Sequence, residues 1–356
     1  MRAVAWLGRL VLVLCVVEGL ASWTRLGALV ATRAQRPLAE RSHTEYDAEL
    51  GWVNRPHVSL PDLYGPGASL HTNAQRFRGT RDVAPAVAPG RVRVVCSGDS
   101  FALGYGVADD ATWCAQLGAL DARIEPVNMG QGGYGIDQAY LWYRRDGAPL
   151  AHDVHLFTFI VEDFARMGAT RFFGYGKPRL RLDGERLAVD NVPVPRAAFA
   201  LPWLAQNLRL ADELRSVALL RAAFARAGAA ASAGERAADA DVPRLAAAVF
   251  AELARLQRAA GRRLMLVYLP MHDELRDEST AALRAFVVRE AQRLGVPFLD
   301  GVPALRALPP DAVASLYIPP RHDDFPAAAG HFTVKGNRWI AEWMLAGMRA
   351  HGALGP

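Results

Sequence analysis

From Arg91 onward the chain alternates short apolar runs with segments of helical spacing. RVRVVCS reads as a strand, RIEPVNMG as a second and DVHLFTFIVED as a third, apolar enough to be buried on both faces. RRLMLVYLP and VPFLD supply a fourth and a fifth. Between them DDATWCAQLGAL predicts a helix opened by acidic residues. GIDQAYLWYRRDG predicts another, with arginines at its C-terminal end and Gly147 behind them. Leu204 to Arg226, Val242 to Ala260 and Ser279 to Leu294 have helical spacing, and Lys335 to Arg349 closes the chain as a helix. AGAAASAGERAADAD reads as a loop or frayed helix, and Phe172 to Pro195 as a hairpin turned by the Asp-Gly of LDGERL. The alternation predicts an α/β fold of three layers, α/β/α, around a central parallel sheet of about five strands. Ligands of such sheets bind beyond the carboxyl ends of the strands, near a switch in strand order. Ser100, Gly133, Asp163, Pro270 and Asp300 all fall at or just after strand ends, so they are expected on one rim.

Upstream the pattern changes. Leu10 to Val17 is wholly apolar, and Ala3 to Trp23 reaches membrane length if Arg9 snorkels and Glu18 is tolerated. Residues 1–24 are therefore read as a signal anchor, a transmembrane helix. A cleaved signal peptide is the rival, but no A-x-A site follows at the expected distance. Arginines on both sides leave the positive-inside count indecisive. Residues 25–90 form a Pro- and Gly-rich lead-in, expected to pack on the domain because Trp52, Tyr64 and Phe77 need burial. Residues 91–356 make the main domain, with a hairpin insertion at 170–200.

Composition narrows the function classes. The chain has 356 residues, 51% apolar and 22% charged, at a net charge of +5. Its arginines are scattered, so no nucleic-acid face is expected. Cys15, Cys96 and Cys114 have no zinc spacing, and neither a metal nor a cofactor is expected. An exported domain would permit a Cys96–Cys114 disulfide. Burial preference alone favours two free thiols. His152 and His155 in HDVH have no third ligand nearby and read as surface histidines.

The chemistry lies in three segments. In VVCSGDSFALGYG, Ser100 stands just beyond a strand end, with Gly98 allowing a sharp turn. NMGQGGYG brings a glycine loop after the second strand, able to aim a bare N–H at a ligand. GHFTVKGNRWIAEWM sets His331 before the closing helix. A hydroxyl, a proton acceptor and N–H donors are what acyl transfer needs. Asp99 reads as an acceptor that stabilises the turn. His322 is the rival base. Arg76 and Arg78 read equally as anion ligands or solvated charges, and Trp142, Trp203, Trp339 and Trp343 mainly as packing residues rather than a sugar platform.

From the GDS turn to the final helix the chain resembles the GDSL/SGNH hydrolases, whose domain is flavodoxin-like. The resemblance implies Ser100 as nucleophile and His331 as general base, with the N–H groups of Ser100 and Gly133 as an oxyanion hole. ELGW and TNAQRFRG are similar to lead-ins of membrane-anchored bacterial members, some linked to exopolysaccharide O-acetylation. The implied setting is the bacterial inner membrane, single-pass, with a periplasmic domain acting on an acyl ester or glycan. A polysaccharide-modifying complex is the implied partner. Two positions depart from the family. Glu162 stands where the family has an oxyanion-hole asparagine, and an ionised glutamate cannot donate a hydrogen bond. Ala328 stands where the family has the aspartate that orients the histidine. Asp324 or Asp323 could reach back to His331, Glu162 could serve instead, or a Ser–His dyad with a backbone carbonyl could suffice. The rival functions are a degenerate glycan-binding or assembly protein and a phosphate-binding module. Neither phosphate-loop glycine pattern occurs at these turns.

Overall fold

In the computed structural model, which describes residues 2–31, 43–172, 175–195, 231–320 and 325–355, five parallel strands carry the domain. In chain order they are β5 (Val92–Gly98), β6 (Ile124–Gly130), β7 (Val154–Phe159), β12 (Arg263–Tyr268) and β13 (Phe298–Asp300). Four short strands precede them: β1 (Thr44–Asp47), β2 (Gly51–Asn54), β3 (Ser59–Leu60) and β4 (Leu70–His71). Four more, β8 (Arg171–Phe172), β9 (Tyr175–Gly176), β10 (Arg179–Asp183) and β11 (Arg186–Asp190), make the insertion. The order across the main sheet is β13-β12-β7-β5-β6. The chain steps outward from β5 to β6 and returns to the other side of β5, so the order reverses between β5 and β7. That is the flavodoxin-like arrangement, and the reversal opens a crevice at the strand ends.

Alternating side chains build two cores, as the pleat requires. Val95, Val127, Phe157, Phe159, Leu266 and Tyr268 point to one face, under α4 (Ile136–Trp142), α5 (Val161–Met167), α6 (Ala231–Ala259) and α7 (Ala281–Leu294). Val94, Cys96, Leu156, Met265 and Val267 point to the other, under α3 (Trp113–Leu120) and α10 (Val334–Ala350). Each fully buried large apolar side chain here contributes about 1.5–3 kcal/mol. The remaining helices are α1 (Arg2–Ala31), α2 (Ser100–Leu103), α8 (Gly301–Arg306) and α9 (Pro310–Ala314).

Several expectations change. The stretch read as a loop or frayed helix is helical from Ala231, the second of those alternatives, because alanine has the highest helix propensity and no competing side-chain bond. Leu204–Arg226 lies outside the described residues. The third strand stops at Phe159, so Glu162 and Asp163 sit in the first turn of α5 rather than on the strand. Cys96 and Cys114 form a disulfide, with Cα atoms 6.2 Å apart. Adjacent placement of β5 and α3, rather than burial preference, decides that pairing. His152 and His155 are buried, not surface residues. His155 bonds Ser97 Oγ at 2.6 Å and stacks on Tyr143, whose hydroxyl meets His152 at 3.0 Å. Loss of water contact pushes His152 down to about 4 and His155 well below its usual value. The hairpin is present as β10 and β11: Asp183 pairs with Arg186, leaving Gly184 and Glu185 as the turn.

Within the lead-in, Trp52, Tyr64 and Phe77 are buried. Arg78 is buried too. It bonds Asp109 at 2.8 Å and the carbonyls of Leu103, Gly104 and Val107. Arg76 pairs with Glu45 at 2.8 Å. Arg78 thus joins parts of the protein to each other and is neither a solvated charge nor a free anion ligand, whereas Arg76 stays more than a third exposed in its surface pair with Glu45. Trp142 is buried, Trp339 and Trp343 stack on each other with centroids 6.4 Å apart, and Trp203 lies outside the described residues.

Every Leu and Val of α1 from Leu7 to Leu20 is exposed. Among the described residues no helix is long and apolar enough to cross a membrane, and the side chains described on α1 run only from Trp6 to Leu20.

Alkylation in denaturant without reductant should modify Cys15 alone, read by peptide mass spectrometry. Removing the bond with Cys96→Ala and Cys114→Ala should lower stability by about 3 kcal/mol, as expected for a loop of this size. Modification of Cys96 or Cys114 in the unreduced protein would contradict the assignment.

Candidate active site

At the end of β5 the chain must turn while lying against β7. A Cβ on Gly98 would come within 2.7 Å of the Thr158 carbonyl oxygen, so only glycine fits. Asp99 then caps α2, its Oδ1 accepting from Phe101 N–H at 2.9 Å. This is the turn-stabilising acceptor role expected for it. Ser100 becomes the first residue of α2, held out of the sheet.

His331 reaches the same point from the opposite end of the chain. The segment before α10 runs beside residues 316–318: Ile318 N–H donates to the His331 carbonyl at 2.8 Å, and Thr333 N–H to the Leu316 carbonyl at 2.8 Å. The first turn of α3 ties both partners together. Trp113 donates its backbone N–H to Asn337 Oδ1 of α10 and its indole N–H to the Phe101 carbonyl of α2, each at 2.9 Å. Ser100 Oγ and His331 Nε2 are 2.7 Å apart.

The proton on His331 can be placed. Its Nδ1 lies 3.2 Å from the Ala328 carbonyl, which can only accept. Nδ1 therefore carries the hydrogen, and Nε2 is free to accept the Ser100 hydroxyl proton. Phe101 stacks on the ring, centroids 4.3 Å apart, and Tyr105 lies against it at 5.3 Å. Loss of water contact pushes the imidazole down to about 4, against the pull of the Ala328 carbonyl. It is the neutral, proton-accepting form across the neutral range. Among the described residues no carboxylate bonds Nδ1, whereas Asp323, Asp324 and the rival base His322 lie outside them.

The glycine loop lies against the serine turn, Gln131 N–H donating to the Gly98 carbonyl at 3.1 Å, and each carries a backbone donor without a partner. The N–H groups of Ser100 and Gly133 find no acceptor among the described residues, though both residues are buried. N–H groups of buried residues are almost always paired, so two without an acceptor are free to take one from a ligand. Gly133 is at φ 79°, a conformation that favours glycine. Asn128 serves the framework instead: its amide donates to the Ala102 carbonyl and accepts from Gly130 N–H, each at 2.9 Å.

Sequence reasoning missed Arg166. From α5, its Nη1 bonds Asp163 Oδ1 at 2.6 Å and the Tyr134 carbonyl at 2.8 Å, and lies 3.5 Å from Asp99 Oδ2. One guanidinium thus joins the serine turn, the glycine loop and the first turn of its own helix α5. The signal that could have found it is its place one helical turn beyond Asp163. Burial raises both carboxyls, and the charge of Asp99 helps to push Asp163 well up.

Glu162 is exposed at the start of α5, and no hydrogen bond joins its side chain to Ser100, Gly133 or His331 among the described residues. Partial loss of water contact raises its pKa, with added repulsion from Asp99 and Glu274. Pro270 and Asp300 end neighbouring strands on this rim. Pro270 accepts from the Tyr317 hydroxyl at 2.8 Å, and Asp300 pairs with Arg284 and caps α8, so neither reaches the dyad.

No family model and no curated protein matches the chain. Among solved structures it is similar to a lipolytic protein of the G-D-S-L family from Desulfitobacterium hafniense DCB-2. The two are 14% identical over 72% of this chain and 99% of that one, with a TM-score of 0.42. It is similar also to Axe2, an acetylxylan esterase from Geobacillus stearothermophilus, at 13% identity over 72% and 94% of the chains, with a TM-score of 0.38. The acetyl xylan esterase AlAXEase gives 14%, 72% and 98%, and 0.38. At these TM-scores the likeness carries no inference about this chain's chemistry, which rests on its own residues.

With the base at about 4, kcat/KM for an activated acetyl ester should stay level from neutral pH down to pH 5. It should fall only as Nε2 takes a proton near pH 4, and an acid limb at 6.5 would contradict the buried, neutral imidazole. Glu162→Asn, which replaces an acceptor by a donor, should raise kcat by about tenfold if the amide reaches the hole. A steady-state assay on p-nitrophenyl acetate reads both.

Proposed function

We propose that the chain is a serine esterase or O-acyltransferase of the GDSL/SGNH type, acting on acyl esters, acetyl esters above all. The observation that carries this reading is the 2.7 Å contact between Ser100 Oγ and a neutral His331 Nε2, together with two unpaired N–H groups of buried residues. Ser100 attacks the acyl carbonyl while His331 Nε2 takes the hydroxyl proton. Negative charge gathers on the former carbonyl oxygen, where the N–H groups of Ser100 and Gly133 receive it. Collapse of the tetrahedral species breaks the ester C–O bond, and His331 returns its proton to the departing alcohol. The acyl group is then on Ser100. His331 next activates water, giving hydrolysis, or a sugar hydroxyl, giving transfer. The Ala328 carbonyl holds the ring through Nδ1–H during both halves, with Asp323 and Asp324 as candidate acids from the adjoining segment.

The setting belongs to the same reading. The exposed apolar side chains of α1 and the Cys96–Cys114 disulfide support a single-pass anchor in a bacterial inner membrane, with the domain outside the cytoplasm. The substrate is then an extracytoplasmic polysaccharide ester, and the partner a polysaccharide-modifying complex. The degenerate, glycan-binding or assembly reading rests on Glu162, which offers the oxyanion no donor, and on Ala328, which offers His331 no carboxylate.

A fluorophosphonate probe should label the wild-type protein at Ser100 and leave Ser100→Ala unlabelled. His331→Ala should lower acetyl-ester turnover by about 10³-fold or more. A folded wild-type protein that neither labels nor turns over an acetyl ester would favour the binding reading instead.

A further inference from the structure

In a trans peptide the carbonyl oxygen and the amide hydrogen point in opposite directions. The peptide joining Gly132 to Gly133 is trans. Its hydrogen end is the unpaired donor assigned above to the oxyanion. Its oxygen end is taken: the indole Nε1–H of Trp52 donates to the Gly132 carbonyl at 2.9 Å. One side chain of the lead-in, 80 positions upstream, therefore holds the far end of the peptide plane that carries the donor.

That hold is needed because of the glycines. With no side chain on either flank, the plane can rotate by about half a turn at little steric cost, through ψ of Gly132 and φ of Gly133. The rotated peptide would aim a carbonyl oxygen at the developing negative charge, turning attraction into repulsion. Glycine is nonetheless required at 132, because a Cβ there would lie 2.7 Å from Tyr105 Cζ. The freedom cannot be removed by a bulkier residue, so it must be restrained by a hydrogen bond.

Trp52 is well placed to restrain it. Its ring is fully buried, stacks on Phe172 at 6.1 Å and meets the edge of Tyr134 at 5.7 Å. Its own carbonyl accepts from the Tyr134 hydroxyl, and Tyr134 directly follows Gly133. Trp52 lies on β2, which pairs antiparallel with β1 as a hairpin, and neighbouring bonds of that hairpin tie down the rest of the loop: Asn54 donates to the Gly130 carbonyl at 3.4 Å, and Gln138 to the Leu50 carbonyl at 2.7 Å.

We propose that Trp52 is a positioning residue that sets the oxyanion hole by locking the Gly132–Gly133 peptide with its N–H directed at the reacting carbonyl. The inference rests on the acyl-transfer reading of the site. It makes the lead-in part of the catalytic apparatus rather than a covering strap.

The test removes the indole N–H and keeps its shape. 3-Benzothienylalanine at position 52 carries sulfur in place of N–H, and Trp52→Phe is the genetic counterpart. Both should lower kcat on p-nitrophenyl acetate by about tenfold or more, with KM within about twofold and the acid limb of the pH profile unmoved. A methylboronic acid inhibitor, whose tetrahedral oxygen needs the hole, should weaken by the same factor as kcat. An isosteric variant with wild-type kcat and boronate affinity would overturn the proposal and leave the esterase reading standing. A wild-type protein without ester turnover would overturn that reading and this inference with it. Should neither variant fold, the wild-type protein decides by NMR. Slow solvent exchange of the Trp52 Nε1–H, with a Gly133 amide shift on boronate binding, supports the lock. Fast exchange, or an unmoved Gly133 amide, contradicts it.

Discussion

The contact between Ser100 Oγ and His331 Nε2 spans 231 positions of chain in 2.7 Å, and the proposed chemistry depends on it. Two short segments must end on the same rim for it to exist. The first is the turn at Gly98, where β5 presses so closely on β7 that no side chain fits. The second is the entry to α10, laced to residues 316–318. The Trp113 indole and backbone N–H bridge the two, one to α2 and one to α10. Parallel topology puts the ends together, and a few directed hydrogen bonds reduce that neighbourhood to bonding distance.

The charges around the dyad are arranged without a described carboxylate on the imidazole. His331 is kept neutral by loss of water contact, and its tautomer follows from a backbone carbonyl, which holds a ring in place but adds little to its basicity. A base of low pKa accepts a proton less readily, so more of the rate must come from the oxyanion donors. That shifts importance to the glycine loop and to whatever fixes it: Arg166 from beneath and the lead-in hairpin from the side.

The five strands were legible because each is an apolar run bounded by glycine, proline or charge, and the rim positions of Ser100 and His331 followed from them. Their chemical pairing was legible only through motif order. What escaped is non-local. Asp99, Asp163 and Arg166 look like ordinary turn and helix-start residues until three loops meet. HDVH looks like surface until Tyr143 and Gln257 close over it. The Cys96–Cys114 bond depends on α3 returning over β5, which periodicity alone does not reveal. The bond from Trp52 to Gly132 joins a segment of little regular pattern to a loop of glycines, so neither end announces the other.

The most direct test is a crystal structure of the protein after reaction with a methylphosphonate ester. The account predicts phosphorus bonded to Ser100 Oγ, with one phosphoryl oxygen about 3 Å from the N–H nitrogens of both Ser100 and Gly133. His331 Nε2 should remain within hydrogen-bond reach of the adduct. An adduct whose oxygen turns to solvent, or an unmodified Ser100 with His331 held beyond bonding range, would contradict it.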